Sequence, residues 1–208
     1  MLSIPSPNTD RSLLTRAQLR AAVGVEDGSK DAALIDLGNY VAVLIAQACR
    51  FATAAGIPPT LRLETVVETI VLDRCTEWLD LARRPIVSTT SVIENGAEID
   101  STGFRLTGSA GRLQRRSGSF AALWPRDCDI VVTYRAGWET VPDDLARAAI
   151  KFVQAEWNQG SRDPLLRRVR VEGVSEREYW VDPTKDSVVP ADVMDILERG
   201  GFIMPVFP

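Results

Sequence analysis

Two acidic pairs are the residues best placed to do chemistry. Asp127 and Asp129 flank Cys128, and Asp143 stands beside Asp144. Paired carboxylates can hold a divalent cation or divide acid and base roles between them. Each pair also has a plainer use. The first stands where a β-branched run begins, and the second opens a helix, where negative charge complements the helix dipole. No further ligand cluster accompanies either pair, so a carboxylate- or metal-dependent hydrolase stays an alternative only. The sequence contains no histidine, which removes the commonest general base near neutral pH and any Ser-His-Asp triad. Gly108-Ser109-Ala110-Gly111 is not a phosphate loop, because no Gly-Lys-Ser/Thr follows it. Cys49, Cys75 and Cys128 form no CxxC pair and are odd in number, so they read as free thiols rather than a disulfide framework. The expectation is a protein without catalytic residues, metal ligands or cofactor, and not an enzyme.

The net charge of −4 and pI near 5.0 argue against capture of nucleic acid by a basic surface, so a nucleic-acid-binding module is a second alternative. All 24 basic residues except Lys30, Lys151 and Lys185 are arginine. A GC-rich coding sequence explains that bias, although planar, bidentate arginines also suit interfaces. The groups are Arg83-Arg84, Arg112/Arg115/Arg116 and Arg167-Arg168/Arg170. The ordinary fate of such runs is a solvated surface. A dense positive surface would hold nucleic acid by its phosphates, against the acidic balance of the chain. Pairing with a neighbouring subunit, through Arg112, Arg115 and Arg116 on a hairpin, is therefore preferred to DNA contact. Trp124, Trp138, Trp157 and Trp180 are irregularly spaced, as core or interface residues are, rather than a stacking platform for bases.

These residues must be positioned by the elements around them. With 208 residues and 45% hydrophobic content, the chain is the size of one domain, with two small ones possible. It reads as soluble and intracellularly made. No signal-peptide pattern opens it, and its longest wholly apolar stretch, Tyr40 to Ala46, is too short to span a bilayer. Residues 1–14 read as an extended arm. Thr15-Arg16-Ala17-Gln18 is a capping box before a short helix at about 16–22. A long helix over 31–55 follows from Leu34, Leu37, Val41, Leu44, Ala48, Phe51 and Ala55, with Gly56 as its terminator. Leu61 to Leu72 alternates as a strand, and Trp78 to Leu81 forms another. Ile86 to Ile93 leads into an Asn95-Gly96 hairpin turn, and the chain returns over Ala97 to Asp100. Phe104 to Thr107 and Arg112 to Gln114 form a second hairpin, and Asp129 to Ala136 closes the sheet. Pro142 opens a helix to about 159 with Leu145, Ala148, Ala149, Phe152, Val153 and Trp157 on one face. Residues 161–188 read as a loop with a short β piece near 168–172, and Pro190 to Arg199 is a last helix.

Two apolar regions exceed what a protomer of this size covers easily. From Tyr40 to Ala46 the long helix is apolar all round, so Tyr40, Val43 and Ala46 are candidate contacts with a neighbouring subunit. After a Gly200-Gly201 hinge, the tail carries Phe202, Ile203, Met204, Val206 and Phe207. These five either fold back on their own subunit or dock on a partner. If they dock, removing 200–208 should leave the protomer folded and abolish partner binding.

Three segments in fixed order carry a family resemblance. The capped short helix and the long apolar helix come first. Arg83-Arg84-Pro85-Ile86-Val87-Ser88-Thr89-Thr90-Ser91-Val92 with its Asn95-Gly96 turn comes next. Last are Tyr134-Arg135-Ala136-Gly137-Trp138, Val141-Pro142, the helix, and Arg162-Asp163-Pro164. Together they resemble the head–tail connector (adaptor) proteins of long-tailed phages and gene transfer agents. The match spans roughly 15–165 and does not extend in detail to 61–72 or 166–208. The resemblance implies an α+β fold, mainly a helical bundle with an inserted small antiparallel sheet and hairpins and an extended C-terminal tail. Residues 1–165 would form the connector-like domain, with its β region at about 61–136. Residues 166–208 would supply a loop, a short helix and a docking tail. It further implies a structural protein of the virion or particle neck, assembled in the host cytoplasm. Its partners would be the portal protein, a stopper or tail-completion protein, and copies of itself in a cyclic, dodecameric ring. DNA would pass through that ring without sequence-specific binding during packaging and ejection, and no membrane would be involved. The portal contact would fall to Phe202, Ile203, Met204, Val206 and Phe207.

Overall fold

The computed structural model describes residues 1–107, 110–160, 168–171, 175–178 and 188–204; for 159–160 and the two strands at 168–171 and 175–178 it describes the backbone alone. Strand β1 (Leu2–Ser3) opens the chain, and an irregular arm leads to helix α1 (Arg16–Val23). The expected capping box is present: the Gln18 N–H donates to Thr15 Oγ1 at 3.3 Å, and the Thr15 N–H donates to Gln18 Oε1 at 2.8 Å. Helix α2 (Asp31–Ala48) follows.

The end of α2 corrects the sequence reading, which carried the helix to Ala55. The chain turns over at Arg50, whose φ is 56°. The Arg50 N–H donates to Gln47 O at 2.8 Å and the Phe51 N–H to Ala46 O at 2.9 Å. This pair of bonds is a Schellman closure, usually built on glycine. Phe51 is thus the apolar residue that follows the cap, not a further position on the helix face, and Gly56 lies beyond in a turn.

The middle of the chain is β-structure: β2 (Glu64–Leu72), β3 (Trp78–Asp80), β4 (Ile86–Glu94), β5 (Ala97–Glu98), a 3-10 turn at Ser101–Gly103, β6 (Phe104–Thr107), β7 (Arg112–Ser117), β8 (Phe120–Ala122) and β9 (Cys128–Ala136). Helix α3 (Asp143–Gly160), the paired strands β10 (Arg168–Val171) and β11 (Ser175–Glu178), and helix α4 (Ala191–Arg199) complete the order. One antiparallel sheet runs β1-β2-β9-β4-β5. A second runs β3-β7-β6, with β8 also paired to β7. The Asn95-Gly96 turn has positive φ at both residues, 49° and 83°, as a tight hairpin requires. β1 and β8 were not foreseen.

The fold is α+β, but helix and strand contribute in nearly equal measure, so it is not mainly a helical bundle. The discrepancy lies in the middle of the chain, where the short strands join into two sheets with a core of their own. α3 lies at the centre of the helical core, with Leu145, Ala148, Phe152 and Val153 fully buried against α1, α2 and α4. The sheet core is separate and contains Val66, Trp124, Ile130, Val132 and Tyr134.

Along β2 the inward residues are the even-numbered ones. Val66 belongs to the sheet core, with Ile70 and Leu72 packed against it. Glu64 is 4% exposed, and Glu68 accepts from the Tyr134 hydroxyl at 2.8 Å and the Ala82 N–H at 3.0 Å. Thr65, Val67, Thr69 and Val71 face outward.

Candidate interaction site

The two cores meet at one column of side chains. Gly137 follows β9 with φ 109°, and a Cβ there would lie 2.5 Å from Arg62 O. Only glycine lets the two backbones come this close. The approach lets Trp138 N–H donate to Leu61 O at 2.9 Å and Leu63 N–H donate to Trp138 O at 3.1 Å. The Trp138 indole then sits between two phenylalanines, Phe51 at 6.1 Å and Phe202 at 5.6 Å between ring centroids.

Both phenylalanines are delivered by the same local device. α4 also closes with Schellman bonds, from Gly201 N–H to Glu198 O at 3.0 Å and from Phe202 N–H to Leu197 O at 3.0 Å. The Arg83 guanidinium lies 5.1 Å from the Phe51 ring centroid. It donates to Ala52 O and pairs with Glu64 Oε2, each at 2.5 Å, with both side chains essentially unexposed. The other Glu64 oxygen accepts the Asn8 N–H at 2.7 Å. Tail, helices, sheet and N-terminal arm therefore converge here. Sequence reading missed this pairing because Glu64 and Arg83 lie on different strands' approaches, and each looks like a surface charge locally.

The tail residues split. Phe202 is 8% exposed and belongs to the helical core. Ile203 and Met204 pack against that core, and the Met204 N–H donates to Cys49 O at 2.9 Å. Gly200-Gly201 is a closed cap rather than a hinge, since a Cβ on Gly200 would lie 2.3 Å from the Phe202 ring. Removing 200–208 would therefore strip a core residue, contrary to the expectation of an intact fold. Val206 and Phe207 lie outside the described residues, as do Trp180, Arg167 and Arg162-Asp163-Pro164.

The candidate subunit contacts split too. Tyr40 is 50% exposed, and neither it nor Val43 belongs to either core, whereas Ala46 is wholly buried in its own protomer. α2 has the length and composition of a membrane-crossing helix, yet Leu34, Val41 and Ile45 on its inner side are packed by α1 and α3. The hairpin arginines find partners at home. Arg112 pairs with Asp80 at 2.8 Å, Arg115 with Glu94 at 3.0 Å, and Arg116 donates to Ser119 O at 2.5 Å.

The residues that could do chemistry sit apart. Asp127 pairs with Arg126 at 2.8 Å on the surface, and Asp143 and Asp144 occupy the first turn of α3. Among the described residues no three potential metal ligands converge. Cys75 is exposed, while Cys49 and Cys128 are buried. Burial pushes the Cys49 thiol up to about 12 and raises Cys128 as well. Burial also raises the Tyr134 hydroxyl, with the neighbouring Glu68 carboxylate adding to the effect.

Solved structures match from end to end. A chain from the neck of an empty gene transfer agent particle, computed with C6 symmetry, aligns with a TM-score of 0.60 and 19% identity, covering 100% of this chain and 97% of that one. The chain carries the fold of a gene transfer agent neck protein. A second neck-fold match, from a native particle computed with C12 symmetry, has a TM-score of 0.58 at 18% identity with the same coverage. A third, from the virion of a native particle, has 0.57 at 20% with the same coverage. No family model and no curated protein matches the chain. The neck-fold agreement spans the described segments from which the connector resemblance was read.

Proposed function

We propose that this protein is a non-enzymatic head–tail connector of a phage or gene transfer agent particle. It forms a ring, dodecameric on the portal, that extends the DNA channel and presents the next docking surface to a stopper or tail-completion protein. The carrying observation is the agreement of the whole chain with neck components solved in ring-symmetric particles. The half-exposed Tyr40 on the outer side of α2 supports the self-association. Val206 and Phe207, beyond the anchored Met204, are the part of the tail left to reach the portal.

The test is reconstitution with the portal protein of the same particle, imaged by electron microscopy. A ring of this protein seated on the portal is expected. If the chain is absent from purified particles and does not bind the portal, the proposal fails. A shorter truncation, removing 205–208, separates docking from folding: it should keep the melting temperature and lose portal binding, and unchanged binding would rule out tail docking.

A further inference from the structure

The outward face of the five-stranded sheet has the composition of an interface. A sheet face turned to water ordinarily carries charge. Here its centre is Val67, Thr69, Val131, Thr133, Ser91 and Ile93, aligned by the register of β2, β9 and β4. Val67, Val131 and Ile93 pack against neither core. Charge returns on β9 only towards the ends of this face, as Arg135 and Asp129, both exposed. α2 presents a matching stripe. Asp36, Tyr40, Val43 and Gln47 recur at steps of four, three and four residues, so they share one side of the helix.

The two faces agree in length and charge. Asp36 and Gln47 are 11 positions apart on α2, about 17 Å at the helical rise. Arg135 and Asp129 are 6 positions apart on β9, about 20 Å at the strand rise. Among the described residues neither Asp36 nor Arg135 nor Asp129 has an ion-pair partner within the protomer. With α2 antiparallel to β9, Asp36 meets Arg135 and Gln47 approaches Asp129, while Tyr40 and Val43 lie over Thr133 and Val131.

From this we infer that the outer stripe of α2 docks on the outer face of the β2-β9-β4 sheet of a second copy of this chain. A helix laid on a sheet face is one of the standard ways to bury both. The two surfaces differ, so the contact is heterologous, and repetition about an axis generates a ring. The inference rests on the ring proposed above and identifies the surfaces that build it.

Cysteine trapping tests the contact in the full-length chain with Cys75→Ser, because trapping captures even weak association. Val43→Cys together with Val131→Cys should give a ladder of covalent oligomers on mild oxidation of concentrated protein. Val43→Cys with Phe120→Cys, which places the second thiol on the exposed β7–β8 hairpin, should not. Asp36→Arg or Arg135→Asp alone should weaken the ladder ten- to hundredfold, and the two together should restore it. An absent ladder, an equal ladder from the control pair, or swaps without effect would overturn the inference. So would swaps that abolish portal binding while leaving rings intact, since these faces would then belong to the portal contact. Rings on particles without the ladder would leave the connector function standing and remove only this contact.

Discussion

Neutralising Glu64 is the sharpest test of the junction between the two cores. Glu64→Gln keeps an oxygen to accept the Asn8 N–H but removes the charge opposite Arg83. The guanidinium is left fully buried, holding only Ala52 O and the Phe51 ring face, with Nη2 already lacking a hydrogen bond. Breaking a buried pair in this way costs about 3–5 kcal/mol. Domains of this kind have about 5–15 kcal/mol in total. The loss is therefore a large fraction of the whole. At a urea slope of about 2 kcal/mol per molar, the unfolding midpoint should fall by about 1.5–2.5 M. Adding Arg83→Met removes the stranded charge, and the double variant should return to within about 1–2 kcal/mol of wild type. Equilibrium urea unfolding read by tryptophan fluorescence measures all three. A loss below about 1 kcal/mol in the single variant, or a double variant worse than either single, would refute the junction argument.

Other substitutions test separate features. Arg50→Gly relieves a left-handed residue with φ 56° and should raise stability by about 0.5–1 kcal/mol, read by urea unfolding. Gly137→Ala forces a side chain into a φ of 109° against Arg62 O; a loss of about 1–3 kcal/mol is expected, with a lower melting temperature. Of the three thiols only Cys75 is exposed, so a colorimetric thiol reagent at pH 8 should modify one rapidly in the native protein and all three after unfolding. The Cys49 thiol is raised from 9.0 to about 12 on folding, so its neutral form is favoured in the folded state. Its contribution is complete below pH 9 and is lost as the pH rises from there through about 12. Alkaline destabilisation should therefore be shallower in Cys49→Ala than in wild type.

Much of the fold was legible because local chemistry agreed with it. Thr15 and Gln18 cap α1, Asn95-Gly96 turns the hairpin, and Asp143 and Asp144 follow Pro142 into α3. The errors arose where tertiary contacts decided. Phe51 keeps the spacing of α2, yet Trp138 captures it after a closure built on arginine, which no local rule anticipates. Both phases of β2 are rich in β-branched residues, so the sequence could not say that the glutamate-bearing phase turns inward. Arg83 and the Tyr134 hydroxyl make that possible. Of the candidate contacts, Tyr40 is half-exposed and Val43 packs against neither core. Phe202 and Ala46 looked the same in the sequence but are absorbed by the helical core.

Both termini report to the same few side chains. Asn8 hangs from Glu64, and Phe202 leans on Trp138. A pull on the chain after Met204 reaches the cap of α2 first, through the Cys49 carbonyl, and only then the arginine behind Phe51. Traction from a bound neighbour would thus be shared by α2, α4 and the base of the sheet, instead of unzipping a single edge.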